Sequence, residues 1–219
     1  MKMNWMTRHK KLYDERYYEY GKKAGVSWYD NYHWEPERSY SESLMFLKAM
    51  NIQRADHPKI VDFGCAKGFF VRSLFVRGYD AYGLDISEYA REHGDPKVAD
   101  RLFDPTENPH QYDYGFCKDV LEHVAYEDID DVLQFMSDIC PRWLMVVPLG
   151  QGGEYLISDY EEETTHIIRR DVDWWVDHVD RVMQISTAAL WIAGLKDKWW
   201  PVNKQGNLVL ITECLKTKT

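Results

Sequence analysis

Cysteine is scarce and scattered: Cys65, Cys117, Cys140 and Cys214 stand far apart, and no Cys-x-x-Cys pair occurs. That spacing argues against a zinc site and against the disulfide framework of a small secreted domain, and it fits a reducing compartment. Long apolar runs are also lacking. No stretch is long enough to span a bilayer, and the opening MKMNWMTRHKKLYDERYYEYGKK has no apolar core of signal-peptide type. The expected address is cytoplasmic, without a membrane span. Positive charge is in deficit, with a net charge of -9 and only two basic clusters, Arg8-His9-Lys10-Lys11 and Arg169-Arg170. Such a surface repels a phosphate backbone, so no nucleic-acid partner is expected. No His, Asp or Glu group has metal-ligand spacing along the chain, and no metal is expected. A G-x-x-x-x-G-K-[ST] stretch is missing too, which excludes a P-loop.

What is abundant is aromatic: 15 % of the 219 residues, with 9 Trp and 15 Tyr. Many lie outside the central region, which suggests an aromatic-lined surface or cleft. Residues 1–57 form a polar, aromatic extension. Leu12-Tyr13, Tyr17 and Tyr20 recur at helical spacing, as do Leu44, Leu47 and Ala49 after a Ser41 cap. The irregular segment between them holds Trp28 and Trp34, which are candidates to wall the acceptor side. The extension is positioned to act as a lid. Trp175 is expected to pack its helix, and Trp199-Trp200 to anchor a hairpin.

From residue 58 to 219 the texture becomes that of an α/β domain. Ile60–Phe63 is a β-rich run, followed by a glycine turn and a helix that Gly78 closes. Ala81–Asp85 is a second strand, Val98–Asp100 a short third, and Tyr112–Cys117 a fourth. An amphipathic helix carries Ile129, Val132-Leu133, Met136 and Ile139, and Trp143–Pro148 follows as a buried strand. Val172 to Met183 outlines a helix, and Arg181–Leu190 and Asn207–Thr212 two closing strands. This alternation predicts a Rossmann-like, doubly wound, mostly parallel sheet with a C-terminal antiparallel hairpin.

The glycine turn, KIVDFGCAKGFF, puts Asp62 inside an apolar run and Gly64, Ala66 and Gly68 on alternate positions. A turn of that kind lets a ligand approach the backbone at the carboxyl ends of the strands. An acid about 20 residues later, here Asp85, can accept hydrogen bonds from ribose hydroxyls. The G-x-G-x-x-G pattern is incomplete, which disfavours a dinucleotide. Asp62 would repel a pyrophosphate but can pair with an ammonium, so an adenosine-type ligand without phosphates fits best.

IVDFGCAKGFF, GLDIS and YDYGFCKDVLEHV, in this order, resemble the class I S-adenosylmethionine-dependent methyltransferases, in the subgroup with a D/E-V-L-E-H-V motif. The resemblance covers residues 58–150 well and reaches THIIRRDVDWWVDHV more loosely. It implies S-adenosyl-L-methionine as cofactor and S-adenosyl-L-homocysteine as product. It implies that Asp62 holds the methionine ammonium and that Gly64, Cys65, Ala66 and Gly68 line methionine and ribose. Asp85 would bind the ribose hydroxyls, with Ile86 against the adenine and Asp100 near the adenine amino nitrogen, although Asp104 competes for that place. Asp119 would close the site.

The sulfonium is already an activated donor, so the protein's task is alignment and exclusion of water. A hydroxyl acceptor also gains from a base. His123, beside the end of the fourth strand, is one candidate and His166 a second. Glu122 and His123 could equally anchor the helix start. The expected activity is methyl transfer to a small-molecule acceptor, with oxygen favoured over other atoms. An aminopropyl-type transferase on the same fold, or a degenerate cofactor-binding or interaction module, stands as the alternative.

Overall fold

The computed structural model describes residues 5, 10–108, 110–192, 195–196 and 206–213. Trp199, Trp200, Gly194, Pro201 and Cys214 lie outside the described residues. Five strands run parallel: β1 (Lys59–Phe63), β2 (Asp80–Leu84), β3 (Leu102–Phe103), β4 (Tyr114–Lys118) and β5 (Arg142–Pro148). Their spatial order is β3-β2-β1-β4-β5. A small hairpin of β6 (Gly150–Gln151) and β7 (Glu154–Tyr155) follows. Then β8 (Ser186–Leu190) and β9 (Asn207–Glu213) extend the sheet, with β9 antiparallel to both β5 and β8. The order reverses between β1 and β4, which opens a crevice at their carboxyl ends.

Six helices accompany the strands among the described residues: α1 (Glu15–Ala24), α2 (Pro36–Ala49), α3 (Phe69–Val76), α4 (Glu88–Glu92), α5 (Ile129–Ile139) and α6 (Val172–Met183). The central strands are buried on both faces because they alternate between two cores, whereas the edge strand β8 is largely exposed. Ile60, Leu144 and Val146 join Phe46, Phe70, Val71 and Leu74 on one side. Val61, Trp143 and Met145 join Leu133, Met136, Trp175 and Val179 on the other. Gly115 stands opposite Trp143 in the β4–β5 register. A Cβ there would come within 2.3 Å of the indole ring, so the fully buried Trp143 requires glycine at that neighbour.

Several expected boundaries move, each for a packing reason. The third strand is Leu102–Phe103, and residues 99–101 form a 3-10 turn. Leu102 is the side chain that fits beside Gly83, its register partner, whereas Ala99 and Asp100 are exposed. Ser41 lies inside α2 and does not cap it; Glu35 is the cap residue, and Pro36 supplies the preset φ of a first helical position. α6 continues to Met183 because Trp175, Val179 and Met183 form one buried stripe at four-residue spacing. It ends at Gln184, which adopts a left-handed φ of 55°. The last strand pair therefore starts at Ser186, later than Arg181. Trp175 packs its helix as expected. α2 also proves integral to the core, since Phe46 stacks edge-on against Phe70 and Phe116.

Candidate active-site cleft

The turn between β1 and α3 is built for close approach. Gly64, Ala66 and Gly68 all have left-handed φ values, 79°, 48° and 77°. Their backbone folds back under Asp85, at the end of β2. Asp85 Oδ2 accepts from the Ala66 N–H at 2.7 Å, and Oδ1 accepts from the Ser87 N–H at 2.7 Å. Burial pushes the Asp85 carboxyl up, against the lowering effect of those two N–H groups and of Arg91. Each oxygen keeps a second lone pair for a ligand. Asp62, one strand over, is buried; desolvation, then Asp85 and Glu42, push its carboxyl well up, while Lys118 opposes them. A carboxylate so placed gains from a cation.

These residues border a cleft of about 820 Å³, open mouth included. Gly64, Ala66, Asp85, Ile86, Asp119 and His123 all line it. Asp62, Cys65 and Gly68 are not among the residues that line it. Cys65 turns its sulfur toward Gly83, and Gly68 backs onto Leu102. Asp100 is exposed and does not line the cleft; the end of β3 presents Pro105 there instead. Asp104 is occupied by Thr106, Lys10 and Arg91. Among the described residues that line the cleft there are three carboxylates (Asp85, Asp119, Asp128) and no lysine or arginine. That set of acceptors suits a cationic nucleoside without phosphates and disfavours a pyrophosphate.

Sequence reasoning missed most of the far wall. Tyr13, Tyr17, Tyr18 and Tyr29 line the cleft, along with Trp5. Trp34 instead packs edge-on against Phe69 and Tyr40, beneath the Arg72 guanidinium. Helical spacing flags Tyr13 and Tyr17, but it cannot show which core they face. The N-terminal segment is tied down at several points. Lys67 Nζ donates to Glu19 Oε1 at 2.5 Å and to the Tyr32 carbonyl at 3.0 Å. Ser87 donates to the Tyr13 carbonyl, and Tyr17 Oη donates to Glu163 Oε1 at 2.6 Å. A hydrogen bond to a buried carboxylate contributes about 1.5–3 kcal/mol. Tyr17→Phe is therefore expected to destabilise the chain by about that much in denaturant unfolding; an unchanged midpoint would count against this tie.

Across the cleft from Asp85, β4 is followed directly by Asp119, itself at a left-handed φ of 57°. Burial pushes its carboxyl up, but Lys118 at 3.0 Å and Lys196 together outweigh this and hold it ionised, well below the usual range. The following 3-10 turn delivers Glu122 and His123. The His166 ring packs against the His123 ring, with centroids 4.7 Å apart. Burial and the neighbouring His123 lower His166 to about 4. Metal spacing is invisible along the chain, yet folding sets one ligand-type atom each from Glu122, His123 and His166 within 4.8 Å of one another.

Residues 33–189 match a family model described as a methyltransferase domain. No curated protein matches. Among solved structures, the complex between the Haloferax volcanii Trm112 methyltransferase activator and a methyltransferase shares 17 % identity, covering 81 % of this chain and 91 % of that one, with a TM-score of 0.58. The methyltransferase domain of bacterial CtHen1 shares 14 %, covering 80 % and 99 %, with a TM-score of 0.55. Magnesium protoporphyrin IX methyltransferase from Synechocystis PCC 6803, with bound SAH, shares 16 %, covering 81 % and 83 %, with a TM-score of 0.57. At these identities the likeness is one of fold.

Proposed function

The chain belongs to the S-adenosyl-L-methionine-dependent methyltransferases, and on that premise we propose that it methylates an oxygen atom of a small-molecule acceptor held at the His123 end of the cleft. One observation carries the acceptor class: the described lining has three carboxylates and four tyrosines and, among the described residues, no lysine or arginine with which to grip a phosphate backbone, Lys118 and Lys196 being paired with Asp119.

In this reading Asp85 holds the ribose hydroxyls and Ile86 covers the adenine. Gly64 and Ala66 pass close to the ribose and methionine, and Asp62 balances the methionine ammonium through water. Cys65 and Gly68 shape the turn from behind. The cofactor supplies a methyl group on a positively charged sulfur. Tyr13, Tyr17, Tyr18 and Tyr29 exclude water and set the acceptor in line with it. Residues 10–35 act as the lid, while α2 belongs to the body of the domain. A hydroxyl must shed its proton as the new bond forms, and His123 is the imidazole that this end of the cleft presents.

The test is release of S-adenosylhomocysteine across a panel of phenols, sugar hydroxyls, carboxylates, amines and a short RNA. Turnover with a hydroxyl compound is the expected result. Turnover confined to RNA or protein would overturn the acceptor class, and cofactor binding without turnover on any acceptor would favour the non-catalytic alternative.

A further inference from the structure

Glu122, His123 and His166 converge where methyl transfer alone asks for no such set. Glu122 is 1 % exposed, and its Oε2 has no hydrogen-bond partner among the described residues. An unmatched carboxylate oxygen in so dry a place is costly unless a cation or proton sits against it.

One hydrogen bond at each ring assigns the nitrogen that carries the hydrogen. His166 Nδ1 lies 2.8 Å from the Tyr160 carbonyl. A carbonyl only accepts, so Nδ1 carries the hydrogen and the lone pair is on Nε2. The Thr165 hydroxyl donates to Glu163 Oε1 at 3.0 Å. It therefore accepts from His123 Nδ1, also at 3.0 Å, and His123 takes the same tautomer. Metal-binding histidines are typically oriented in this way, by an N–H donated to a second group behind the ring. The Tyr17 hydroxyl holds Glu163 from the other side, so the lid helix helps to hold the outer hydrogen bonds.

We propose that Glu122, His123 and His166 bind one divalent metal ion, zinc or manganese, at the acceptor end of the cleft. Two imidazoles and a carboxylate on one side leave coordination positions open on the other. The proposal rests on the oxygen-acceptor reading for its role. An acceptor hydroxyl on an open position loses its proton to solvent more readily. Its oxygen lone pair then forms the bond to the methyl carbon, and the carbon–sulfur pair returns to sulfur. Without the ion His123 is the group that takes this proton; with the ion bound, both imidazoles coordinate it and the proton goes to solvent.

The experiment is calorimetry on the full chain, stripped with EDTA and freed of chelator, titrated with ZnCl₂ or MnCl₂ without cofactor or acceptor. One equivalent of at least one of the two is expected to bind, and Co²⁺ is expected to bind with a visible absorption band. In Glu122→Gln, His123→Gln and His166→Gln the affinity is expected to fall at least 100-fold while S-adenosylhomocysteine binding persists. His123 is only half-buried, so His123→Gln decides the matter where a core variant fails to fold. Absence of saturable binding by the unmodified chain, or equal binding by the variants, overturns the site. Stoichiometric metal binding with no turnover of any hydroxyl compound leaves the site standing and removes the oxygen reading.

Discussion

Asp85→Ala is expected to weaken S-adenosylhomocysteine binding about 100-fold, by calorimetry. Two ribose hydroxyls donated to a carboxylate contribute at least about 1.5 kcal/mol each, and about 3 kcal/mol corresponds to roughly that factor. The geometry makes the figure a lower bound. Asp85 also accepts the Ala66 and Ser87 N–H groups, so its loss frees the turn that forms the floor of the cleft. Asp85→Asn keeps one acceptor oxygen but turns a second group into a donor, and it should fall between the two. A weakening of less than about tenfold in Asp85→Ala would mean that the ribose does not lie against β2.

Gly64→Ala is expected to lower stability by about 2–5 kcal/mol. A left-handed φ costs a residue with a Cβ about 1–2 kcal/mol, and overpacking adds about 1–3 kcal/mol. The φ here is 79°, and the new Cβ would lie 2.2 Å from Cγ2 of Val120. For a chain of this size the melting temperature should drop by roughly 4–20 °C. Gly152→Ala provides the control: its φ is 63° but nothing lies within 4 Å of the added atom, so only the backbone cost applies. Val120→Ala in the Gly64→Ala background should recover part of the loss. Equal effects at Gly64 and Gly152 would show that Val120 is not in contact with the turn. The same approach couples the first-strand turn to the D-V-L-E-H-V segment in this chain: Val120 occupies the room that Gly64 leaves.

The fold was legible because its signals are local. Ile60–Phe63 and Trp143–Pro148 are apolar on both faces, and α5 repeats its apolar residues at 3–4 spacing. Both patterns reflect burial geometry, which acts residue by residue. The third strand was misplaced because two residues carry too little pattern; Leu102 is selected by the space at Gly83, which is a contact between distant segments. The candidate site was legible in part. Gly64, Ala66, Asp85, Ile86, Asp119 and His123 share the cleft because a strand-end turn and the next strand's last residue are neighbours in any parallel pair. Asp100 fell outside when the strand moved.

By its own sequence this chain determined the parallel sheet, the crevice at the β1–β4 switch and the acid that faces it, since strand periodicity and turn chemistry are properties of short stretches. Only the tertiary structure decided that four N-terminal tyrosines roof the cleft and that His166 meets Glu122 and His123. Those meetings depend on how segments far apart in the chain pack, and no local spacing encodes which buried side chains will face one another.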